Sequence, residues 1–295
     1  MSERGYPVSL YLAIRAVTRE NRGTLLLTIF LIALMVVLMN FIGIVMGSMI
    51  TQYYQQLVDY QYGHVIVLPG ENELFIKNAS RLVEQLERVP GVGSVSSRYA
   101  TGVTFTNRKT GKSPTGMITA INPDHEKATT FYHTKIKEGD FLSREDTGEI
   151  FIGELLAGSG NDIKDKYPSL GGARVGDIIE VSYINGEVGQ YRIKGIFKSD
   201  NALNDIAAFT TRTDLTRYLP TDGQATSILV RGNSKSLDPA YALGLKYSCL
   251  QYGVREEVKS WDEKGKALIE DGISSTLTIE RLISIVGLLV ASVVV

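Results

Sequence analysis

From Leu25 to Met49 the chain reads LLLTIFLIALMVVLMNFIGIVMGSM, with no charged residue. At about 1.5 Å per residue this run is long enough to cross a bilayer core of about 30 Å. A lone segment in hydrocarbon satisfies its own N–H and C=O groups only as a helix, so the pattern predicts a transmembrane helix over 24–50. Ahead of it, Leu10, Ala13, Ile14 and Val17 recur at helical spacing while Arg15, Arg19 and Arg22 fall largely on other faces, which predicts an amphipathic elbow helix on the membrane surface over 1–23. Beyond the span, Ile50, Tyr53, Tyr54, Leu57, Val58 and Tyr60 keep helical spacing up to Gly63. The helix is expected to continue there as a stalk over 51–62.

A matching stretch lies near the other end. DEKGKALIEDGISSTLTIE places Leu268, Ile269, Ile273 and Leu277 on one face, a second stalk over 262–281. Leu282 to Val295 then opens a second membrane helix of about 21 Å, short of the hydrocarbon thickness, so the chain is expected to be part of a longer protein.

Between the stalks the periodicity alternates. HVIVLPG reads as a buried strand, and NASRLVEQLERVPGV as a helix with Asn78 or Ser80 as cap and Pro90-Gly91 as stop. SVSSRYATGVTFTN and TGMITAI follow as strands. Short strands and glycine turns fill 123–204, among them an Asn185-Gly186 hairpin with YRIKGIF returning antiparallel. AAFTTRTDLTRYL, TSILVRG, SLDPAYALGLKY and YGVREEVKSW then predict helix, strand, helix and strand. The fold class is α+β: one domain closed by 63–122 and 205–261 around a β-rich insertion, 123–204.

Charge sets the orientation. Arg4, Arg15, Arg19 and Arg22 precede the span and no Lys or Arg follows it until Lys77, which predicts a cytoplasmic N-terminus and an extracytoplasmic domain. The apolar run exceeds that of a cleavable signal peptide, so a retained helix is expected. Charged residues at 21% and a net charge of −1 give no basic stripe, which excludes nucleic acid as an expected partner. The lone Cys249 makes no internal disulfide and reads as a buried, inert thiol. Within the span, Asn40 and the Gly43/Gly47 pair predict a packed helical face, with Ser284, Gly287 and Ala291 as its counterpart.

Candidate chemistry is sparse. His64, His125 and His133 show no metal-ligand spacing and read as surface or capping residues. Glu145-Asp146 and Glu256-Glu257 read as solvated charges. Gly111-Lys112-Ser113 has the tail of a phosphate loop without its first glycine, and it joins two strands, which argues against nucleotide binding. No catalytic constellation stands out.

The order of four stretches is similar to MacB-like and FtsX-like permeases, the mechanotransmitting (type VII) ATP-binding-cassette transporters that include the lipoprotein-releasing LolC/LolE subunits. The stretches are LAIRAVTRENRGTLLLTIFLIALMVV; HVIVLPG through ERVPGVGSVS; FIGELLAG, VGDIIEV and YRIKGIF; and SWDEKGKALIEDG running into LISIVGLLVASVVV. The resemblance implies a porter-like extracytoplasmic core domain in the inner (cytoplasmic) membrane, no cofactor in this chain, and ATP with Mg²⁺ on a cytoplasmic ATPase partner. It also implies a second permease copy, homo- or heterodimeric, and a periplasmic adaptor or carrier. Export or extraction of a lipoprotein, peptide or amphiphile would follow from movement of the stalks. Two further spanning helices usual in such permeases do not occur in this sequence, so no ATPase-contact residue is assigned. On this reading Ile50 to Tyr60 and Leu268 to Leu277 are coupling residues. Leu57→Asp or Ile273→Asp is then expected to uncouple ATP hydrolysis from export with the outer domain still folded. The alternative is a membrane-anchored extracytoplasmic binding or sensory module without an ATPase.

Overall fold

The computed structural model describes residues 22–161, 165–199 and 201–266. Arg15 and Arg19 of the elbow, Leu268, Ile269, Ile273 and Leu277 of the second stalk, and Ser284, Gly287 and Ala291 lie outside the described residues. The chain divides into two units, one holding the apolar helix up to Gln52 and the other running from Tyr53 to Lys266.

In the first unit, helix α1 (Arg22–Gln56) carries the apolar run. Among the described residues it is the one helix long and apolar enough to cross a membrane, with a mean hydropathy of 2.8 in its most apolar window. Its large side chains, Phe30, Val37, Phe41 and Ile44 among them, are exposed, as lipid-facing positions would be. The Asn40 amide donates to the Val36 carbonyl one turn back, 2.8 Å, and a Cβ added at Gly43 or Gly47 would meet nothing within 4 Å.

In the second unit the helix passes into a π-helical turn, Leu57–Tyr62. The elements that follow are β1 (Val65–Leu68), α2 (Ala79–Glu87), β2 (Val92–Thr106), β3 (Thr115–Ile121), α3 (Pro123–Thr129), β4 (Ile136–Gly139), β5 (Glu149–Gly153), α4 (Glu154–Ala157), β6 (Ile178–Tyr183), β7 (Val188–Phe197), α5 (Ala202–Asp205), β8 (Ala208–Thr211), α6 (Arg212–Leu215), β9 (Ser227–Gly232), α7 (Pro239–Gln251) and β10 (Glu257–Ser260). The protein is α+β.

Two substructures share one long strand. Strands β10, β1, β9 and β2 lie side by side, all antiparallel, with α2 following β1 and α7 following β9; this is the ferredoxin-like split βαβ arrangement. Leu82, Val83 and Leu86 of α2 and Leu245 and Cys249 of α7 pack with Val65, Val67, Ile228 and Val230 of the sheet. Burial raises the Cys249 thiol to about 11, which keeps it protonated. The second half of β2 pairs with β3 on one side and β6 on the other. The pairs β3–β8, β8–β5, β5–β7 and β7–β6 complete a closed ring of six strands. Closure leaves no free edge. Phe105, Ile118, Ile150, Ile152, Ile179, Val181, Tyr191 and Ile193 fill the interior, as side chains do in a narrow barrel.

The strands of 123–204 close on β2 and β8, which lie outside that range. A departure concerns the helix expected over AAFTTRTDLTRYL. Ala208–Thr211 is a fully buried strand that pairs parallel with β3 and antiparallel with β5, and only Arg212–Leu215 is helical. The Phe-Thr-Thr run has aromatic and β-branched side chains that suit a pleated position, and pairing on both edges overrides the apparent helical spacing. Asn78 stands at the start of α2 in a left-handed conformation (φ 54°) and makes no side-chain cap bond.

Candidate functional site: the sheet grips the end of the apolar helix

The last carbonyls of any helix lack intrahelical partners and carry partial negative charge. At the π-helical turn the four carbonyls of residues 58–61 each meet a donor. Nη1 of Arg231 donates to the Val58 carbonyl (3.5 Å), the Phe131 amide to Asp59 (3.1 Å), Nη2 of Arg98 to Tyr60 (2.8 Å) and Nη1 of Arg98 to Gln61 (3.5 Å). Arg98 sits on β2 and Arg231 on the adjacent β9. Two cations at a helix C-terminus complement the dipole as well as the orphan acceptors.

Each arginine has its own carboxylate. Arg231 pairs with Asp59 at 2.7 Å, and Nε2 of Gln55 donates to the same carboxylate at 2.7 Å. The Arg231 guanidinium also lies 4.4 Å from the Phe131 ring centroid, a cation–π distance. Arg98 forms a close ion pair with Glu126, whose side chain is 1% exposed. Hydroxyls of Ser96 (2.6 Å) and Thr130 (2.8 Å) complete the shell of that carboxylate. Burial would push the Glu126 carboxyl up, but Arg98 and the two hydroxyls hold it below the usual range. Leu57, Val58 and Tyr60 are buried, and Tyr60 packs edge-on to Tyr132 at 5.0 Å.

The other side of the same segment meets the last described helix, residues 261–266. The Tyr54 and Trp261 rings lie 5.0 Å apart, and a Cβ added at Gly265 would lie 3.0 Å from Cδ1 of Leu57 and 3.5 Å from Cε1 of Tyr54. Val58, Ala242 and Trp261 form a small buried cluster there. Of the residues expected to couple, Tyr54 and Leu57 thus converge on Trp261 and Gly265, whereas Ile50 falls in the first unit and Tyr53 is half-buried.

His64, expected at the surface, is fully buried. Its Nδ1 accepts from the Gly232 amide (3.1 Å) and Nε2 faces the Ser236 carbonyl (3.2 Å), which requires the neutral Nε2–H tautomer. Burial first, and then the charge of Arg231, hold its pKa below 6.5. The unfolded chain therefore takes up a proton that the folded one refuses, and stability falls as pH drops below about 6.5. Thermal unfolding is expected to shift down between about pH 7 and pH 5, and less steeply in His64→Gln. His133, held low by its own burial, supplies the remainder. Asp146, expected to be solvated, is ion-paired with Lys194 and accepts from the Ser143 amide and hydroxyl; it pins the loop before β5.

No family model and no curated protein matches this sequence. Among solved structures the chain is similar to the extracellular domain of the noncanonic ABC-type transporter YknZ from Gram-positive bacteria, with 13% identity, a TM-score of 0.46 and coverage of 66% of this chain and 97% of that one. It is similar to the periplasmic region of MacB from Actinobacillus actinomycetemcomitans with 11% identity, a TM-score of 0.47 and coverage of 69% and 91%. It is also similar to a domain of a putative permease protein from Porphyromonas gingivalis, with 14% identity, a TM-score of 0.34 and coverage of 65% and 79%.

The clamp was not anticipated from the sequence. The available signal is a charge inside a predicted strand: Arg98 lies within VSSRYATGV and Arg231 directly follows the apolar ILV of ILVRG, and a buried arginine requires a partner. Among the described residues no cluster of His, Cys, Asp and Glu is arranged to hold a metal.

Proposed function

We propose that the chain is a permease subunit of an ABC transporter, in which a cytoplasmic ATPase drives movement of an extracytoplasmic domain to export or extract a lipoprotein, peptide or amphiphile. The observation that carries this reading is the clamp: the residues that continue the apolar helix are core members of the folded unit, held by two buried arginines. A tether that only anchored a domain would need no such grip. The order of the four sequence stretches supports the same reading. ATP can bias such a domain only through a free-energy difference between two arrangements of the helices, and the contact of Tyr54 and Leu57 with Trp261 and Gly265 is where two arrangements would differ.

Because Leu57 is 1% exposed, Leu57→Asp would put a charge in the core and destabilise the domain, which replaces the expectation that it leaves the domain folded. Gly265→Leu is the better probe. It wedges the two segments apart at a cost of about 1–3 kcal/mol. Purified from its native membrane, the chain is expected to bring an ABC ATPase with it, and Gly265→Leu to alter the turnover of that ATPase while the ATPase stays bound. Purification without any ATPase would favour the anchored binding module.

A further inference from the structure

Helix α7 (Pro239–Gln251) is apolar on two opposite faces. Ala242, Leu245 and Cys249 are buried in the folded unit. On the other side Ala240, Leu243, Tyr247 and Leu250 are exposed, the last three at 39%, 56% and 40%. A surface helix ordinarily turns charged and polar residues to water. This one instead presents a seam of 3-4-3 spacing, the pattern by which one helix packs along another. Gly244 lies beside the seam, and a Cβ added there would meet nothing within 4 Å, so a second helix has room to approach closely.

The charges and the order of side chains select what covers the seam. Lys246 is the one charged residue of α7, and its Nζ donates to both oxygens of Glu263 at 2.7 and 2.8 Å. The helix therefore offers no free charge to a charged partner. A helix that rests on a membrane surface carries Lys and Arg beside its apolar stripe, which α7 lacks. The seam is its own complement: Leu243 and Leu250 stand at nearly equal distances on either side of Tyr247. A twofold axis across the middle of the helix sets Leu243 of one copy against Leu250 of the other. It brings the two Tyr247 rings together at the axis, each with open space over Gly244 of the opposite helix. An antiparallel pair also sets the two helix dipoles against each other favourably. A contact between a surface and its own copy requires this symmetry; a contact with a different protein does not.

We infer that the exposed face of α7 pairs with α7 of a second copy of this chain, antiparallel about a twofold axis beside Tyr247. The 13 residues of α7 span about 20 Å, and one such face falls short of the roughly 800 Å² per partner of a stable interface. The pair accordingly forms where the chains are concentrated in a membrane, and not between free domains in dilute solution. The inference is independent of the transporter reading, because an anchored module without an ATPase pairs by the same face.

Disulfide trapping of the full chain in its membrane tests it. Cys249 is buried and its thiol stays protonated, so the wild-type chain serves as the blank. In Leu243→Cys/Leu250→Cys the two new thiols lie seven residues apart on one helix, about 10.5 Å, too far to bridge within a chain. Mild oxidation is expected to give a covalent dimer of twice the chain mass. Either single variant, and Leu74→Cys at a strongly exposed loop position, should give little. Adding Tyr247→Glu to the double variant should lower the dimer yield at least about ten-fold, as loss of a central aromatic does, with an unchanged thermal midpoint. Leu250→Cys with Leu243→Glu, which lacks one partner thiol, should give no dimer. A dimer yield matched by Leu74→Cys, an adduct of any other mass, thiols left free after oxidation, or a yield unmoved by Tyr247→Glu would each overturn the inference. An ATPase that co-purifies with an uncrosslinked chain sinks the α7 contact alone; a trapped dimer that brings no ATPase sinks the permease reading alone.

Discussion

Replacing Arg98 with methionine is expected to destabilise the folded unit by about 3–5 kcal/mol, the effect of removing one partner from a buried ion pair. The loss arises less from the missing attraction than from what remains. Glu126 would be left ionised and enclosed, with only the Ser96 and Thr130 hydroxyls to solvate it, and the Tyr60 carbonyl would lose its 2.8 Å donor. A carboxylate in that position takes up a proton instead, so the variant should lose its normal acid profile: the stability that wild type retains until pH falls through the depressed Glu126 pKa would be gone at neutral pH. The double variant Arg98→Met/Glu126→Leu removes both charges and should recover most of the stability, because a buried pair and a well-packed apolar replacement often break even. Denaturant unfolding of the three proteins checks this. Equal losses in the single and double variants would show that the pair itself, rather than the stranded carboxylate, stabilises the unit.

Gly63→Ala is expected to cost at least about 2 kcal/mol and to loosen the link between the π-helical turn and the sheet. Gly63 follows the turn with φ 66° and ψ −157°, a region that L side chains avoid at about 1–3 kcal/mol. An added Cβ would also stand 2.6 Å from the Val230 carbonyl oxygen, the acceptor of the His64 amide at 2.9 Å. Relief of that clash has to move β9 or the end of the helix. Gly70→Ala, with open space and no positive φ, is the control and should be nearly neutral. Hydrogen exchange resolves the two possibilities: the amides of Val65 to Leu68 should exchange faster in Gly63→Ala and unchanged in Gly70→Ala.

The parts that were legible in the sequence are those in which one periodicity extends over many residues. The apolar helix, α2 with Pro90-Gly91 after it, and the β6–β7 hairpin around Asn185-Gly186 all follow from local spacing and turn chemistry. The Ala208–Thr211 strand was not legible, because its state is fixed by neighbours on both edges that lie far away in the chain. The clamp was hidden for the same reason. Arg98 and Glu126 are separated by 28 positions and Arg231 and Asp59 by 172, and no local pattern joins such residues. His64 was misread because burial of a neutral imidazole depends on the Gly232 amide and Ser236 carbonyl, which only the folded chain brings to it.

Strand β2 gives half its length to the ferredoxin-like layer and half to the barrel, and it also carries Arg98. Neither substructure can therefore be complete without the other, and the grip on the helix end closes only when β9 arrives with Arg231. During synthesis residues 57–62 emerge long before that strand exists, so assembly has a fixed order: barrel and sheet first, locking last. A non-local closure of this kind is slow, and until it is made the π-helical turn and strand β9 are joined by the intervening chain alone.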